Sequence, residues 1–222
     1  MKKATLLLFF CISISSCGQN LPDGFVYLSD VDASIQTEMR YIINNNFIGK
    51  PIDGYKKATI ITSKPTAIAL KKVQEQLLQF NLSLKIFDTY RPQQAVDHFV
   101  RWAKVLNDTL MKRQYYPEVP KNQLFKLGYI SAKSGHTRGS TVDLTIMDLT
   151  TGEELDMGSP YDFFGDISHA LNIKISKKQR ANRLLLRSLM ITNGFTPIKS
   201  EWWHFTLKDE PFPKTYFNFP IK

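Results

Sequence analysis

The chain has 222 residues, with 29 Lys and Arg against 20 Asp and Glu, a formal net charge of +9. The basic residues are scattered and form no run of about five or six, so nothing indicates nucleic-acid binding; a mild attraction to an anionic envelope or membrane surface is all the charge supports. The length is ample for one domain with a sizeable core.

At the N-terminus, Lys2 and Lys3 precede an apolar run, residues 6–14, that is short for a bilayer span. The run leads through Ser15 and Ser16 to Cys17 and Gly18. This resembles the lipobox of bacterial lipoproteins, in which the cysteine is lipidated and becomes the mature N-terminus; the alternative is an ordinary secretory signal. The expected organisation is a signal peptide over residues 1–16 and one domain over 17–222, placed in the cell envelope (periplasm or outer surface) and anchored to a membrane through Cys17. Cleavage there removes Lys2, Lys3 and Cys11 and lowers the charge from +9 to +7. One remaining cysteine permits no internal disulfide, so stability must come from packing.

Pro65 opens a helical pattern with Ala69, Leu70, Val73, Leu77 and Phe80 as its apolar stripe. Residues 82–88 alternate as a strand, with Leu84 and Ile86 on one face and Lys85 and Phe87 on the other. Pro92 suits the first turn of a helix, where its missing N–H costs nothing; Ala95, Phe99, Trp102, Ala103 and Leu106 supply the buried face. Residues 115–120 read as loop. Residues 141–147 read as a strand with Val142, Leu144 and Ile146 on one side and Thr141, Asp143 and Thr145 on the other. A basic amphipathic helix spans residues 176–193 through Leu184, Leu185, Leu189 and Ile191, and Gly194 stops it. An aromatic strand follows at 202–207, then an irregular tail at 211–220. Mixed elements without a βαβ rhythm predict an α+β domain with a central antiparallel sheet flanked by helices.

Two short stretches carry the candidate chemistry: Ser134-Gly135-His136, running on to Asp143, and Glu201-Trp202-Trp203-His204. Two imidazoles and a carboxylate suit a zinc site that keeps a fourth position open for water, and a spare carboxylate can take that water's proton. The bland alternative is a turn, a solvated strand residue and an aromatic core strand. Glu201 and His204 approach each other on a turn, whereas on a flat strand they face opposite sides. Paired tryptophans beside them would wall the site and lower its dielectric. His98 and His169, in polar surroundings, read as ordinary surface or core histidines.

Taken together, the pattern Ser-x-His-x-x-Gly-x-x-x-Asp followed by Glu-x-x-His resembles the zinc D-alanyl-D-alanine dipeptidases, the VanX family, within the wider zinc D,D-peptidase and hedgehog-like superfamily. The likeness begins at Met39-Arg40-Tyr41 and the 46–55 block. It continues through Phe87-Asp88-Thr89-Tyr90-Arg91-Pro92, the His136 block, the 156–162 block and Glu201-Trp202-Trp203-His204-Phe205. The resemblance implies one zinc ion per chain, in a cleft, held by His136, Asp143 and His204. It also implies Glu201 as general base and Arg91 as the cation that meets the oxyanion; the structural alternative for Arg91 is a pairing with Asp88. Ser134, Asp162 and Tyr41 match positions lining the dipeptide pocket, with Asp162 facing the substrate ammonium and Ser134 or a backbone amide the carboxylate. The expected reaction is hydrolysis of D-Ala-D-Ala in the envelope, during wall turnover or scavenging. Alternatives are a D,D- or L,D-carboxypeptidase or endopeptidase acting on stem peptides, and a non-catalytic zinc-binding lipoprotein.

Overall fold

The computed structural model describes residues 20–222, so the leader and Cys17 lie outside the described residues. The chain opens with β1 (Phe25–Tyr27), α1 (Leu28–Val31) and β2 (Gln36–Thr37), then β3 (Ile61–Ser63), α2 (Lys64–Leu78) and β4 (Leu82–Asp88). It continues with α3 (Gln93–Lys104), α4 (Lys112–Tyr115), β5 (Thr141–Asp148) and β6 (Glu153–Glu154), and closes with α5 (Lys177–Thr192), β7 (Phe195–Pro197) and β8 (His204–Leu207). The main sheet runs β2-β4-β5-β8-β7, with β6 paired to the end of β5, while β1 and β3 form a separate ribbon. The architecture is α+β, as expected, but the sheet is mixed rather than antiparallel: β2 lies parallel to β4 through a two-residue pairing.

The sheet's centre positions the site. β5 is buried along both faces from Thr141 to Met147, which suits a strand with neighbours on each side and layers above and below. The antiparallel registers set Asp88 of β4 opposite Asp143 of β5, and Asp143 opposite His204 of β8. Three side chains from three strands therefore stand in a row across the sheet. A register shift between Ile86 and Asp88 adjusts the end of β4, as bulges beside functional sites commonly do.

Helix boundaries depart from the periodic reading in three places. α2 ends at Leu78, and Asn81 takes φ 56°, so the chain reverses and Phe80 is left 74% exposed instead of joining the stripe. α3 ends at Lys104, and Leu106 is exposed beyond it. In α5, capped by a reciprocal Ser176–Gln179 box, the buried residues are Arg183, Leu186 and Met190, whereas Leu184, Leu185 and Ile191 face solvent. The reason is Arg183. Its guanidinium is buried but donates to the carbonyls of Met157, His169 and Ile167, so a charged residue occupies the core face and rotates the apolar ones outward. Tyr115, expected in a loop, closes α4 and is buried with Tyr116. The final strand starts at His204, and Trp202 and Trp203 belong to the preceding turn. The irregular tail packs inward: Phe212, Phe217 and Phe219 surround Phe25 at 4.9–5.5 Å between ring centroids.

Candidate active site

His136 sits in a single 3-10 turn, Gly135–Arg138, opened by Ser134, whose hydroxyl accepts the His136 N–H at 3.3 Å. Gly139 ends the turn at φ +81°, with its Cα against Phe25; a Cβ there would lie 2.3 Å from the ring, so only glycine lets the chain turn into β5. The His136 Nδ1 lies 2.7 Å from the Thr89 carbonyl. A carbonyl only accepts, so Nδ1 carries the proton and Nε2 presents a lone pair inward, an orientation typical of metal-ligating histidines. That Nε2 is 3.3 Å from Asp143 Oδ2 and 3.4 Å from His204 Nδ1. His204 Nδ1 is in turn 3.1 Å from Asp143 Oδ1 and 3.4 Å from Glu201 Oε2, because the 201–203 turn folds the glutamate back over the start of β8.

One ligand atom from each of His136, Asp143 and His204 lies within 4.8 Å of the other two. Asp143 Oδ1 is buried and, although His204 Nδ1 lies 3.1 Å away, no donor N–H is aligned on it, which ordinarily carries a substantial desolvation penalty. Two imidazole nitrogens and an orphaned carboxylate oxygen converging on one point are the donor set a tetrahedral zinc ion takes, with one position left over. The residues fit the metal.

All eight residues singled out in the sequence line one cleft of about 180 Å³: Tyr41, Arg91, Ser134, His136, Asp143, Asp162, Glu201 and His204. That volume corresponds to about six water molecules, enough for a small substrate. Arg91 makes the pairing with Asp88 and also lines the cleft. Its Nε donates to Asp88 Oδ2 at 2.9 Å, Nη2 reaches Asp143 Oδ2 at 3.5 Å, and the group packs over the Tyr41 and Phe99 rings while facing the cleft. Asp162, at φ 62°, accepts the Tyr41 hydroxyl at 2.8 Å. The tryptophans divide: Trp203 walls the cleft, but Trp202 turns away and donates to Ser159 Oγ at 3.0 Å. His98 and His169 take no part in the cleft.

Sequence reasoning missed several contributors. Tyr161 donates to the Tyr41 hydroxyl at 3.0 Å and stands 3.4 Å from Asp143. Tyr55 donates to Asp88 at 2.9 Å, fixing the carboxylate that fixes Arg91. Both lie inside blocks already noted, and tyrosine beside a buried acid was the available signal. The Thr89 carbonyl had none, since any residue supplies a carbonyl.

A family model described as D-ala-D-ala dipeptidase matches residues 22–222. The chain belongs to that family. A relative from Enterococcus faecalis, named D-alanyl-D-alanine dipeptidase, is 41% identical over 201 residues, which is 90% of this chain and 100% of the relative. Relatives of the same name from Streptomyces coelicolor and Escherichia coli are 42% identical over 197 residues (89% of this chain, 98% of theirs) and 34% identical over 182 residues (82% and 83%). The family's enzymes are zinc hydrolases, which agrees with the donor set in the cleft.

The electrostatics of this dipeptidase-family site are dominated by burial. It pushes the Glu201 carboxyl up to about 7, with the His204 ring opposing and the Asp143 charge adding to the rise. Burial and then the Asp143 charge push Asp162 up to about 8. For Asp143 burial acts upward, but the His136 and His204 rings outweigh it and hold the carboxyl well below its usual range. Burial lowers His136, while for His204 the close Asp143 carboxylate overcomes burial and raises it.

Proposed function

We propose that the protein hydrolyses the dipeptide D-alanyl-D-alanine to two D-alanines in the cell envelope. The observation that carries the reading is Glu201, poised 3.4 Å from His204 beside three convergent ligands and across a small cleft from a fixed guanidinium. Its raised pKa suits a general base working near neutrality. Bound zinc supplies Lewis acidity and a water of lowered pKa. Glu201 takes the proton from the attacking water and returns it to the departing amine. Arg91, held by Asp88, faces the oxygen on which charge develops and needs no reorganisation to do so. Asp162 meets the substrate ammonium, with Tyr41 holding its carboxylate, and Ser134 meets the substrate carboxylate. Clamping both ends of so short a molecule rejects longer peptides.

The envelope location rests on the leader and on Cys17. Outside the cytoplasm, a supply of free D-Ala-D-Ala has to come from wall turnover, so the role is turnover or scavenging. Fractionation of cells carrying the native chain and a Cys17→Ser variant tests it: a cytosolic native protein refutes it.

The activity is tested by incubating zinc-loaded protein with D-Ala-D-Ala and with a stem pentapeptide, and measuring free D-alanine. Release from the dipeptide alone is expected. Release only from the pentapeptide assigns a carboxypeptidase instead. Glu201→Gln should retain zinc and lose about 10²–10⁴ in rate; unchanged hydrolysis by that variant removes the proposed base.

A further inference from the structure

Residues 167–200 contain seven Lys and Arg and no Asp or Glu, the longest one-signed stretch of the described chain. Within it, α5 turns an unpartnered face outward. Lys177, Arg180, Leu184, Arg187 and Ile191 follow one another at intervals of three and four and form a single stripe, in which Leu184 is 52% and Ile191 40% exposed. The loop before the helix adds Leu171 and Ile173, 65% and 78% exposed. Arg180 ties this loop to the stripe by donating to the Ile173 carbonyl at 3.3 Å. Between loop and β7 runs a groove of about 540 Å³ with Leu171, Ile173, Pro197 and Ile198 among its walls and Lys174, Arg187 and Lys199 at its rim. Asp166, paired with His169 at 3.8 Å, is the one carboxylate bordering it.

We propose that this face docks on a membrane surface rich in anionic lipid. Charge complementarity selects that occupant. Protein interfaces deplete lysine, yet here Lys174, Lys177 and Lys199 accompany the apolar side chains, and residues 167–200 hold no carboxylate to pair with them. A second copy would set the same cations against each other across a two-fold axis. At a bilayer interface the arrangement is favourable: apolar side chains enter the headgroup boundary while Lys and Arg stems extend to the phosphates. The surface acts independently of the hydrolytic reading and of Cys17.

The test uses the chain from Asn20, because the Enterococcus faecalis relative, matched over its whole length, consists of this domain alone. Co-sedimentation is measured with phosphatidylcholine vesicles, with vesicles also containing phosphatidylglycerol, and with soluble polyphosphate as competitor, at low and high salt. Binding is expected to require phosphatidylglycerol and to weaken in salt. Replacing Lys174, Arg187 and Lys199 by Gln should reduce it about 100-fold, with melting unchanged. Leu171→Ser with Ile173→Ser should weaken binding and leave its salt dependence intact. Equal binding to both vesicle types overturns the proposal, as does phosphatidylglycerol binding that survives both sets of substitutions. Complete displacement by polyphosphate with no effect of the serine pair identifies a polyanion site instead, and salt-sensitive dimers lost in the Gln variant identify self-association; either refutes membrane docking.

Discussion

Asp162 tests the site's electrostatics most directly. It is 7% exposed, accepts the Tyr41 hydroxyl, and is pushed from 3.8 to about 8 by burial and by the Asp143 charge. Between those values the folded, metal-free protein keeps a proton that the unfolded chain has lost, so stability falls as pH rises. The contribution is full below the unfolded pKa and gone once pH has passed through about 8. Asp162→Asn removes this titration while keeping an acceptor for Tyr41, and asparagine tolerates the left-handed backbone found there. Over the three pH units from 5 to 8, at about 1.4 kcal/mol per unit, the variant should gain about 4 kcal/mol on the wild type. For a domain of this size that is about 10 °C in Tm. Thermal unfolding of chelator-treated protein, followed by circular dichroism from pH 5 to 9, reads the gap. A wild-type-to-variant difference that stays constant, or moves the other way, refutes the assignment of a buried proton to Asp162.

Other outcomes follow from the same geometry. His136→Ala should abolish zinc binding, measured by metal analysis after dialysis, since it removes one of three protein ligands. Arg91→Lys keeps the charge but not the fork that grips Asp88, and should cut kcat by about 10²–10³ with little change in KM; an equal rate would show that a bare charge suffices. Gly139→Ala drives a Cβ into Phe25 at a positive φ, and urea unfolding should show a loss of about 2–4 kcal/mol.

The candidate ligands were legible because each was announced locally. Strand parity put Asp143 on the face opposite Val142, Leu144 and Ile146, and a turn was the one geometry bringing Glu201 to His204. Their meeting was not legible from parity, because it depends on which strands pair and in what register: Asp88, Asp143 and His204 align only through two antiparallel ladders. The face of α5 was misread for a related reason. Periodicity assigns leucines to the core, but buried carbonyls at Met157, Ile167 and His169 recruited Arg183 there. Phe80 and Leu106 fit their helical stripes in sequence and lost them because each helix ends two residues earlier, at Leu78 and at Lys104.

The charge balance of the cleft supports the proposed pairing of a divalent cation with a substrate amine. Four carboxyls, on Asp88, Asp143, Asp162 and Glu201, converge where Arg91 is the permanent cation paired with them, the other cleft-lining cation, Lys133, being exposed. Burial raises three of them, Asp88, Asp162 and Glu201, so in the metal-free protein the surplus is relieved with protons. A divalent ion at His136, Asp143 and His204 supplies positive charge where Glu201 must ionise to act as a base. In the proposed function a substrate ammonium beside Asp162 supplies the rest. A peptide with a blocked N-terminus brings no such charge, leaves Asp162 protonated and forfeits the ion pair. The proposed selectivity for a free dipeptide then rests on an excess of buried acid that the fold carries at a cost in stability and that cation and substrate together would offset.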